Sequence, residues 1–285
     1  DDVMHPSLLF ECVKTVCEKD ADYVYTDEAT FTSPNLDDLI VLHFKPDYSP
    51  DNLRANNYIC HFFVVRREIA EKTGGLRPEY NGAQDYDYIF RCTEMAGKIV
   101  HIPRVLYHWR VHSASTADNP ASKLYAYEAG KKAIEGNLAR CGEEGTVTLR
   151  SDYGFYDVDY KLRGTPLVSI LIPNKDQADT LRTCLESIKK KCMYPSYEIL
   201  IIENNSTEEA TFSYYKELEA QGIRVLKYPK QGFNYSAINN FGVKEAKGEY
   251  LLFLNNDMEI ITPDFMEKMV SNLQRPQIGA VGAKL

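Results

Sequence analysis

The sequence predicts an α/β protein whose second half forms an open, doubly wound parallel sheet. Short, nearly continuous apolar runs of strand length alternate with amphipathic helical stretches, which is the pattern of parallel strands covered on both faces. Helices that join such strands make right-handed βαβ crossovers. Polar residues follow three of the apolar runs, and ligands of open α/β sheets bind at these carboxyl ends of the strands.

Strands and helices are assigned in the second half as follows. The predicted strands are PLVSILIP (166–173), YEILIIEN (197–204), IRVLKYP (223–229) and EYLLFLNN (249–256). The predicted helices cover 178–191, 208–221 and 234–247, and the last two end at Gly222 and Gly248, because glycine commonly stops a helix.

The first half is predicted to be a different α/β unit. Helices are expected at 6–19, 49–57, 67–75 and 82–97, and strands at 21–28, 59–66 and 98–112. Residues 113–165 contain a polar loop, a helix-prone stretch and a Tyr/Asp-rich segment. This composition predicts a linker between two units.

Composition excludes several classes of protein. The 285 residues are 44% hydrophobic and 26% charged, with a net charge of −8, which disfavours nucleic acid as a partner. The apolar runs are far shorter than the roughly 18 residues of a membrane span, so no transmembrane or targeting segment is expected. Seven scattered cysteines form no Cys-x-x-Cys pair, which favours free thiols in a reduced compartment.

Polar clusters end three of the predicted strands, at 174–176, 203–206 and 255–257. Such residues often cap the following helix, as a capping box of Ser206 with Glu209 would do. Three clusters at one sheet edge favour a ligand site instead. The sequence contains neither a Gly-x-Gly-x-x-Gly fingerprint after the first of these strands nor a P-loop, so a bound nucleotide would be held in another way.

Longer segments resemble a known family. VSILIPNKDQADTLRTCLESI, YEILIIENNSTEE, NYSAINNFGVKEAKGEYLLFLNNDMEI and GAVGAKL together resemble the nucleotide-binding half of glycosyltransferase family 2, whose members are inverting enzymes with the GT-A fold. GGLRPEYNGAQDYDYIFRC in the first half resembles the acceptor-side segment that holds the catalytic base, and VLYHWRVHSAS resembles the tail that closes the active site. The resemblance is strongest to tandem bacterial polysaccharide glycosyltransferases with two such domains.

The two halves stand in the reverse of the family's order. Residues 1–116 are therefore expected to be the acceptor and catalytic-base half of one GT-A domain, 117–165 a helical linker, and 166–285 the nucleotide-sugar-binding half of a second domain. The halves would pack as a circularly permuted domain within one chain or exchange between two chains as a swapped homodimer.

An internal repeat supports this tandem interpretation. An offset of 257 residues aligns DDVMHPSLLFECV with LNNDMEIITPDFMEKMV, and it pairs Pro6 with Pro263, Val13 with Val270 and Val24 with Val281. The acidic residues at the start of the chain are interpreted as remains of the first domain's metal motif. We expect the chain to be a piece of a two-domain enzyme.

The resemblance implies roles on the acceptor side for three residues. Asp85 would be the catalytic base, Gln84 would lie beside it, and Trp109 would stack on an acceptor sugar. From the residues alone, Asp85 also suits a first-turn acid that complements the helix dipole, and Trp109 equally suits a core aromatic residue.

The resemblance also implies a nucleotide site and a metal site. The nucleotide-binding residues would be Pro173, Asn174, Glu203, Asn204, Asn240, Asn255 and Asn256. The family commonly has two acids where this chain has Glu203 and Asn204, and a UDP- or dTDP-sugar is the expected donor. Asp257 and His112 would bind Mg2+ or Mn2+, hard cations that prefer oxygen ligands, although a single histidine is often structural.

The resemblance therefore implies a hexosyl- or other glycosyltransferase that moves a sugar from a nucleotide-diphosphate sugar to a glycan or lipid-linked acceptor hydroxyl, with inversion, in cell-surface polysaccharide synthesis. Its expected location is the cytoplasm or the inner face of the membrane. A catalytically inactive nucleotide- or glycan-binding fragment is the alternative. A sugar nucleotidyltransferase is disfavoured because PNKDQAD lacks the Gly-rich basic loop of that class.

Overall fold

The structure is a computed structural model that describes residues 2–32, 36, 39–111 and 124–283. The chain divides into two compact units, unit 1 from Asp1 to Tyr160 and unit 2 from Lys161 to Leu285. His112, a predicted metal ligand, lies outside the described residues.

Unit 1 combines a mixed sheet, a separate hairpin and several helices. Its strands are β1 Val3–Met4, β2 Tyr23–Phe31, β3 Leu39–His43, β4 Phe63–Val65, β5 Ile99–Arg110, β6 Gly145–Leu149 and β7 Tyr156–Tyr160. Its helices are α1 Leu8–Lys19, α2 Pro50–Ala55, α3 Arg67–Thr73, α4 Gln84–Met95 and α5 Leu124–Arg140, with a 3-10 turn at Pro78–Tyr80.

Strand β2 is the centre of the main sheet of unit 1. It pairs in parallel with β5 along its whole length, and in antiparallel fashion with β4 near its start and with β3 near its end. Tyr23 and Tyr25 enter one core with Ile89 of α4, while Val24 enters a second core with Leu8 of α1. Because both faces of the sheet are covered, every residue of β2 is buried.

The predicted helices of the first half are present and slightly shorter than expected. The strand predicted at 59–66 begins only at Phe63, because the preceding backbone turns its carbonyls toward the side chain of Lys45. β3 was not predicted; all five of its residues are exposed, so they lack the alternation of a half-buried strand.

Residues 124–160 pack into unit 1, which differs from the linker predicted at 117–165. Ala133 and Ile134 of α5 and Val147 of β6 are buried in the same core as α4. Arg54 of α2 donates from Nε to Asn137 Oδ1 of α5 at 2.8 Å and from Nη1 to Tyr160 Oη of β7 at 2.9 Å. The apolar face of α5 therefore belongs to a folded core. The assignment of acceptor and nucleotide halves stays a prediction.

Unit 2 alternates strands and helices. Its strands are β8 Val168–Asn174, β9 Tyr197–Glu203, β10 Arg224–Lys227 and β11 Tyr250–Phe253. Its helices are α6 Ala178–Lys191, α7 Glu209–Ala220, α8 Tyr235–Glu245 and α9 Phe265–Leu273.

The sheet of unit 2 has the order β10-β9-β8-β11, and each pairing is parallel. Ile170 of β8 faces a core with Leu181 of α6, and Leu171 faces a second core with Ile238 of α8, so helices cover both faces. The predicted α/β fold with a parallel sheet is confirmed. The strand order reverses between β8 and β11, which makes this gap the topological switch point.

Helices α1 and α9 begin at Leu8 and Phe265, 257 positions apart, as the predicted repeat requires. Val24 lies in β2, whereas Val281 lies outside the strands of the described chain. The two-domain interpretation stays a prediction. Within the described ranges, every helix is too short or too polar to cross a membrane.

Candidate functional site

A hydrogen bond spans the switch point of unit 2. Asn256, which follows β11, donates from Nδ2 to Asn174 Oδ1 at the end of β8 over 2.7 Å. Asn174 in turn donates from Nδ2 to Tyr215 Oη at 2.7 Å and to the carbonyl oxygen of Asp176 at 3.0 Å. The side chain of Asn174 is 2% exposed and is fixed at three points.

Glu203 ends the neighbouring strand β9, Asn204 follows it, and both residues are buried. Glu203 Oε1 accepts the backbone N–H of Ser206 at 2.5 Å, and Asn204 Oδ1 accepts from Asn205 Nδ2 at 2.8 Å. Within the described part of the chain, no hydrogen-bond donor reaches Glu203 Oε2. This oxygen can therefore accept an N–H group of a ligand.

Asp176 binds the backbone just before helix α7 from a distant part of the sequence. Its carboxylate accepts the backbone N–H groups of Thr207 at 2.7 Å and Glu208 at 2.9 Å, and these bonds lower the pKa of Asp176. Ser206 Oγ accepts from the backbone of Asp176 at 2.9 Å. The capping box considered for Ser206 and Glu209 is absent from the described chain: the N-cap residue of α7 is Glu208, and Ser206 Oγ binds the backbone of the β8 loop instead.

The remaining predicted residues of unit 2 line its surface. Asn240, Asn255 and Asp257 are exposed, and Pro173 is half-buried. Across the described ranges, no three His, Cys, Asp or Glu residues are close enough together to hold a metal ion. Hard cations shared with substrate phosphates need only one or two carboxylates, and the exposed carboxylate of Asp257 is available to be one of them.

In unit 1, Asp85 lies in the first turn of α4 and is half-buried. Its Oδ2 accepts from Asn57 Nδ2 at 3.2 Å and from Cys60 Sγ at 2.9 Å. The neighbouring Gln84 accepts the backbone N–H of Gly82 with Oε1 at 2.8 Å. Asp85 is therefore held by side chains of another segment, beyond any interaction with its own helix.

Asp87, in the same helical turn as Asp85, has the burial and the arginine partners of a structural acid. It is completely buried and accepts from Arg77 Nε at 3.0 Å and Arg91 Nε at 2.9 Å. Both carboxylate oxygens are engaged by arginine. This pairing marks Asp87 as a part of the scaffold, in contrast to the half-exposed Asp85.

Trp109 lies near the end of β5 and is half-buried. Its ring centroid is 5.2 Å from that of His61, which also stacks on Tyr107 at 5.5 Å. Tyr107 Oη donates to Asp2 Oδ2 at 2.6 Å, so the start of the chain is tied to the same strand. Trp109 thus belongs to an aromatic cluster with His61 and Tyr107 and lies outside the two buried cores of unit 1 described above.

A buried lysine organises the segment next to Asp85. Lys45 Nζ donates to three successive backbone carbonyls, those of Ile59 and Cys60 at 3.3 Å each and that of His61 at 2.5 Å. It also lies 3.4 Å from Glu28 Oε2. Burial lowers the pKa of Lys45, and Glu28 opposes this effect.

Sequence reasoning missed this lysine network and the contacts of Asn57 and Cys60. One signal was available: Asp27 and Glu28 stand inside the apolar strand pattern YVYTDEATF, and buried acids need a partner. The sequence contains no comparable signal for Lys45, because long-range pairing leaves no periodic pattern.

The fold and the switch point place unit 2 in the class of α/β proteins with an open parallel sheet. A family model described as Glycosyl transferase family 2 matches residues 169–284. Residues 169–284 therefore match the model of this family, and the predicted resemblance is confirmed.

Relatives extend the similarity over the whole chain. The chain is 41% identical over 286 residues to the O-antigen biosynthesis protein RfbC of Myxococcus xanthus, a match that covers 100% of this chain and 22% of that protein. It is 38% identical over 291 residues to the uncharacterized protein y4gI of Sinorhizobium fredii (strain NBRC 101917 / NGR234), covering 100% of this chain and 32% of that protein. The chain thus spans a third or less of the length of these relatives.

Among solved structures, the mannosyltransferase PcManGT from Pyrobaculum calidifontis in complex with GDP-Man and Mn2+ is similar to part of the chain. The superposition covers 55% of this chain and 44% of that protein, at 17% sequence identity and a TM-score of 0.37.

Proposed function

We propose that this chain supplies parts of an inverting glycosyltransferase that moves a sugar from a nucleotide-diphosphate sugar to a hydroxyl of a glycan or lipid-linked acceptor in cell-surface polysaccharide synthesis. The observation that carries the proposal is the hydrogen bond from Asn256 to Asn174 across the switch point of a family 2 sheet. Similarity over the whole chain to an O-antigen biosynthesis protein supports the proposed pathway.

Inverting transfer needs a bound donor, stabilisation of the leaving diphosphate and a base for the acceptor hydroxyl. In the proposal, Glu203 Oε2 accepts the N–H of a uracil or thymine base, and Asn174 shapes the floor of the site. Asp257, with an amide oxygen of Asn255, would hold Mg2+ or Mn2+, which when bound offsets negative charge on the diphosphate. Asp85 takes the proton of the acceptor hydroxyl.

The first test measures nucleotide binding. Calorimetric titration of UDP and dTDP is run with and without Mn2+ on the wild type, on Asp257→Asn and on the matched control Glu259→Gln. Glu259 is a suitable control because it is an exposed acid two residues away that pairs with Lys191 at 3.1 Å. We expect Asp257→Asn to weaken binding in the presence of Mn2+ by about tenfold or more, and Glu259→Gln to leave it unchanged. Equal binding by both variants would exclude the role of Asp257.

The second test measures turnover. Release of nucleotide diphosphate from a panel of UDP- and dTDP-sugars is followed in the full natural protein, with wild type and Asp85→Asn compared. Loss of release with unchanged UDP binding supports Asp85 as the base. Binding without any release by the full wild-type protein would favour a catalytically inactive nucleotide- or glycan-binding role instead.

A further inference from the structure

We propose that Asn57 and Cys60 are positioning residues for Asp85: they hold Oδ2 of its carboxylate, so that Oδ1 is the oxygen that takes the proton. This inference rests on the proposed function, in which Asp85 is the base.

The two donors converge on one oxygen. Asn57 Nδ2 lies 3.2 Å and Cys60 Sγ 2.9 Å from Asp85 Oδ2, and within the described ranges no donor reaches Oδ1. A carboxylate held at one oxygen by two donors has a restricted rotation about its Cβ–Cγ bond. Its free oxygen therefore keeps a fixed direction, which is what efficient proton transfer requires.

Cys60 remains a donor at neutral pH. Burial and the negative charge of Asp85 raise the pKa of the Cys60 thiol well above its usual range, so the sulfur keeps its proton and donates it. A thiolate would repel the carboxylate. The S–H group is a weak donor, so its hydrogen bond can orient Asp85 only if the Cys60 side chain is itself held in place.

Lys45 holds the segment that carries Cys60. Its ammonium group binds three successive carbonyls, including that of Cys60 itself, and Glu28 anchors it on β2. Three backbone carbonyls and one carboxylate share the three N–H donors of this buried ammonium group, which fixes the local backbone more firmly than a single bond would. Lys45 and Glu28 thereby determine the direction of the Cys60 side chain, although neither of them contacts Asp85.

Asn57 has an orientation that stability alone does not explain. Among the described residues, its Oδ1 is buried without a hydrogen-bond partner, while its Nδ2 donates to Asp85. A buried unpaired acceptor is destabilising. Strained or unsatisfied groups of this kind gather at functional sites, which fits a side chain that is placed for the carboxylate.

The kinetic test uses the full natural protein and the panel of UDP- and dTDP-sugars. For Cys60→Ala and for Asn57→Ala we expect kcat to fall by about tenfold, with KM for the donor changed less than about twofold. Cys60→Ser keeps a donor and is expected to recover most of the lost kcat. Cys17→Ala, which removes an exposed thiol of α1, is the matched control and should equal the wild type.

A spectroscopic test does not depend on turnover. The infrared S–H stretching band of Cys60 is identified by subtracting the Cys60→Ala spectrum from that of the wild type. In Asp85→Ala this band is expected to move to higher frequency, because the S–H group loses its carboxylate acceptor and keeps only the contact with His61 Nδ1 at 3.1 Å. An unmoved band would show that the hydrogen bond is absent and would overturn the inference.

The two proposals fail in different ways. If Asp85→Asn abolishes turnover while Cys60→Ala and Asn57→Ala retain wild-type kcat, the positioning role is wrong and the proposed function stands. If Asp85→Asn leaves turnover unchanged, the base assignment itself is wrong, and the positioning role falls with it.

Discussion

Substitution of Gly130 by alanine is expected to destabilise unit 1. Gly130 lies in α5, and a Cβ atom at this position would overlap Tyr156 Oη and lie 3.0 Å from Tyr156 Cζ. Tyr156 is 5% exposed, and its hydroxyl donates to the carbonyl oxygen of Tyr127 at 3.0 Å. The ring has no room to retreat without breaking that bond, so the close approach of α5 to β7 requires glycine.

The magnitude follows from three contributions. Overpacking of a filled core costs about 1–3 kcal/mol, and loss of the tyrosine hydrogen bond costs about 1 kcal/mol. The better helix propensity of alanine returns about 1 kcal/mol. We expect a net loss of about 2 kcal/mol in the free energy of unfolding, which lowers the urea midpoint by about 1 M for an m-value near 2 kcal/mol/M.

Gly136→Ala is the matched control in the same helix. A Cβ atom there would lie 3.0 Å from Arg140 Nη1 and 3.4 Å from Tyr80 Oη, and the end of an arginine side chain can move aside. This variant should be as stable as the wild type or more stable by up to about 1 kcal/mol.

The assay is urea unfolding followed by tryptophan fluorescence. The chain has a single tryptophan, and Trp109 lies in unit 1, so the signal reports on the unfolding of that unit. Equal urea midpoints for Gly130→Ala and Gly136→Ala would refute the packing of α5 against β7. Residues 124–160 would then have to be interpreted as a linker, as the sequence predicted.

Three further outcomes are expected. Hydrogen bonds lower the pKa of Asp176, so its stabilising effect is complete above its unfolded-state pKa of about 4 and is lost as pH falls through the lower folded value. At neutral pH, Asp176→Asn should therefore speed amide exchange of Thr207 and Glu208. The wild type should show the same faster exchange only in acid. Asp87→Asn leaves its arginine partners without a buried counter-charge and should cost about 3–5 kcal/mol, measured by the same urea titration. Gly248→Ala would place a Cβ atom 2.5 Å from a backbone nitrogen of β8, so limited proteolysis should cleave unit 2 of this variant much faster than that of the wild type.

Periodic features of the sequence predicted most of the fold. The four strands and the three helices assigned in unit 2 occur close to the predicted positions, because burial on both faces leaves continuous apolar runs that few other structures produce. The short edge strand β3 was missed, since all five of its residues are exposed and carry no alternation.

The candidate site was predictable in one respect. Polar residues after β8, β9 and β11 were expected to meet at one sheet edge, and the bond between Asn256 and Asn174 joins two of those clusters. Their individual partners were not predictable. Asp176 accepts the backbone N–H of Glu208, about thirty residues further along the chain, and no local pattern encodes such a contact.

The sequence by itself determined the α/β class, the parallel sheet, its polar edge and the family resemblance of residues 169–284, because each of these depends on local periodicity or on motif residues close together in the chain. Tertiary structure alone decided that residues 124–160 complete the core of unit 1, that Lys45 binds three successive carbonyls, and that Asn57 and Cys60 meet Asp85. These contacts join residues distant in sequence, and the burial that makes them strong exists only after the chain has folded.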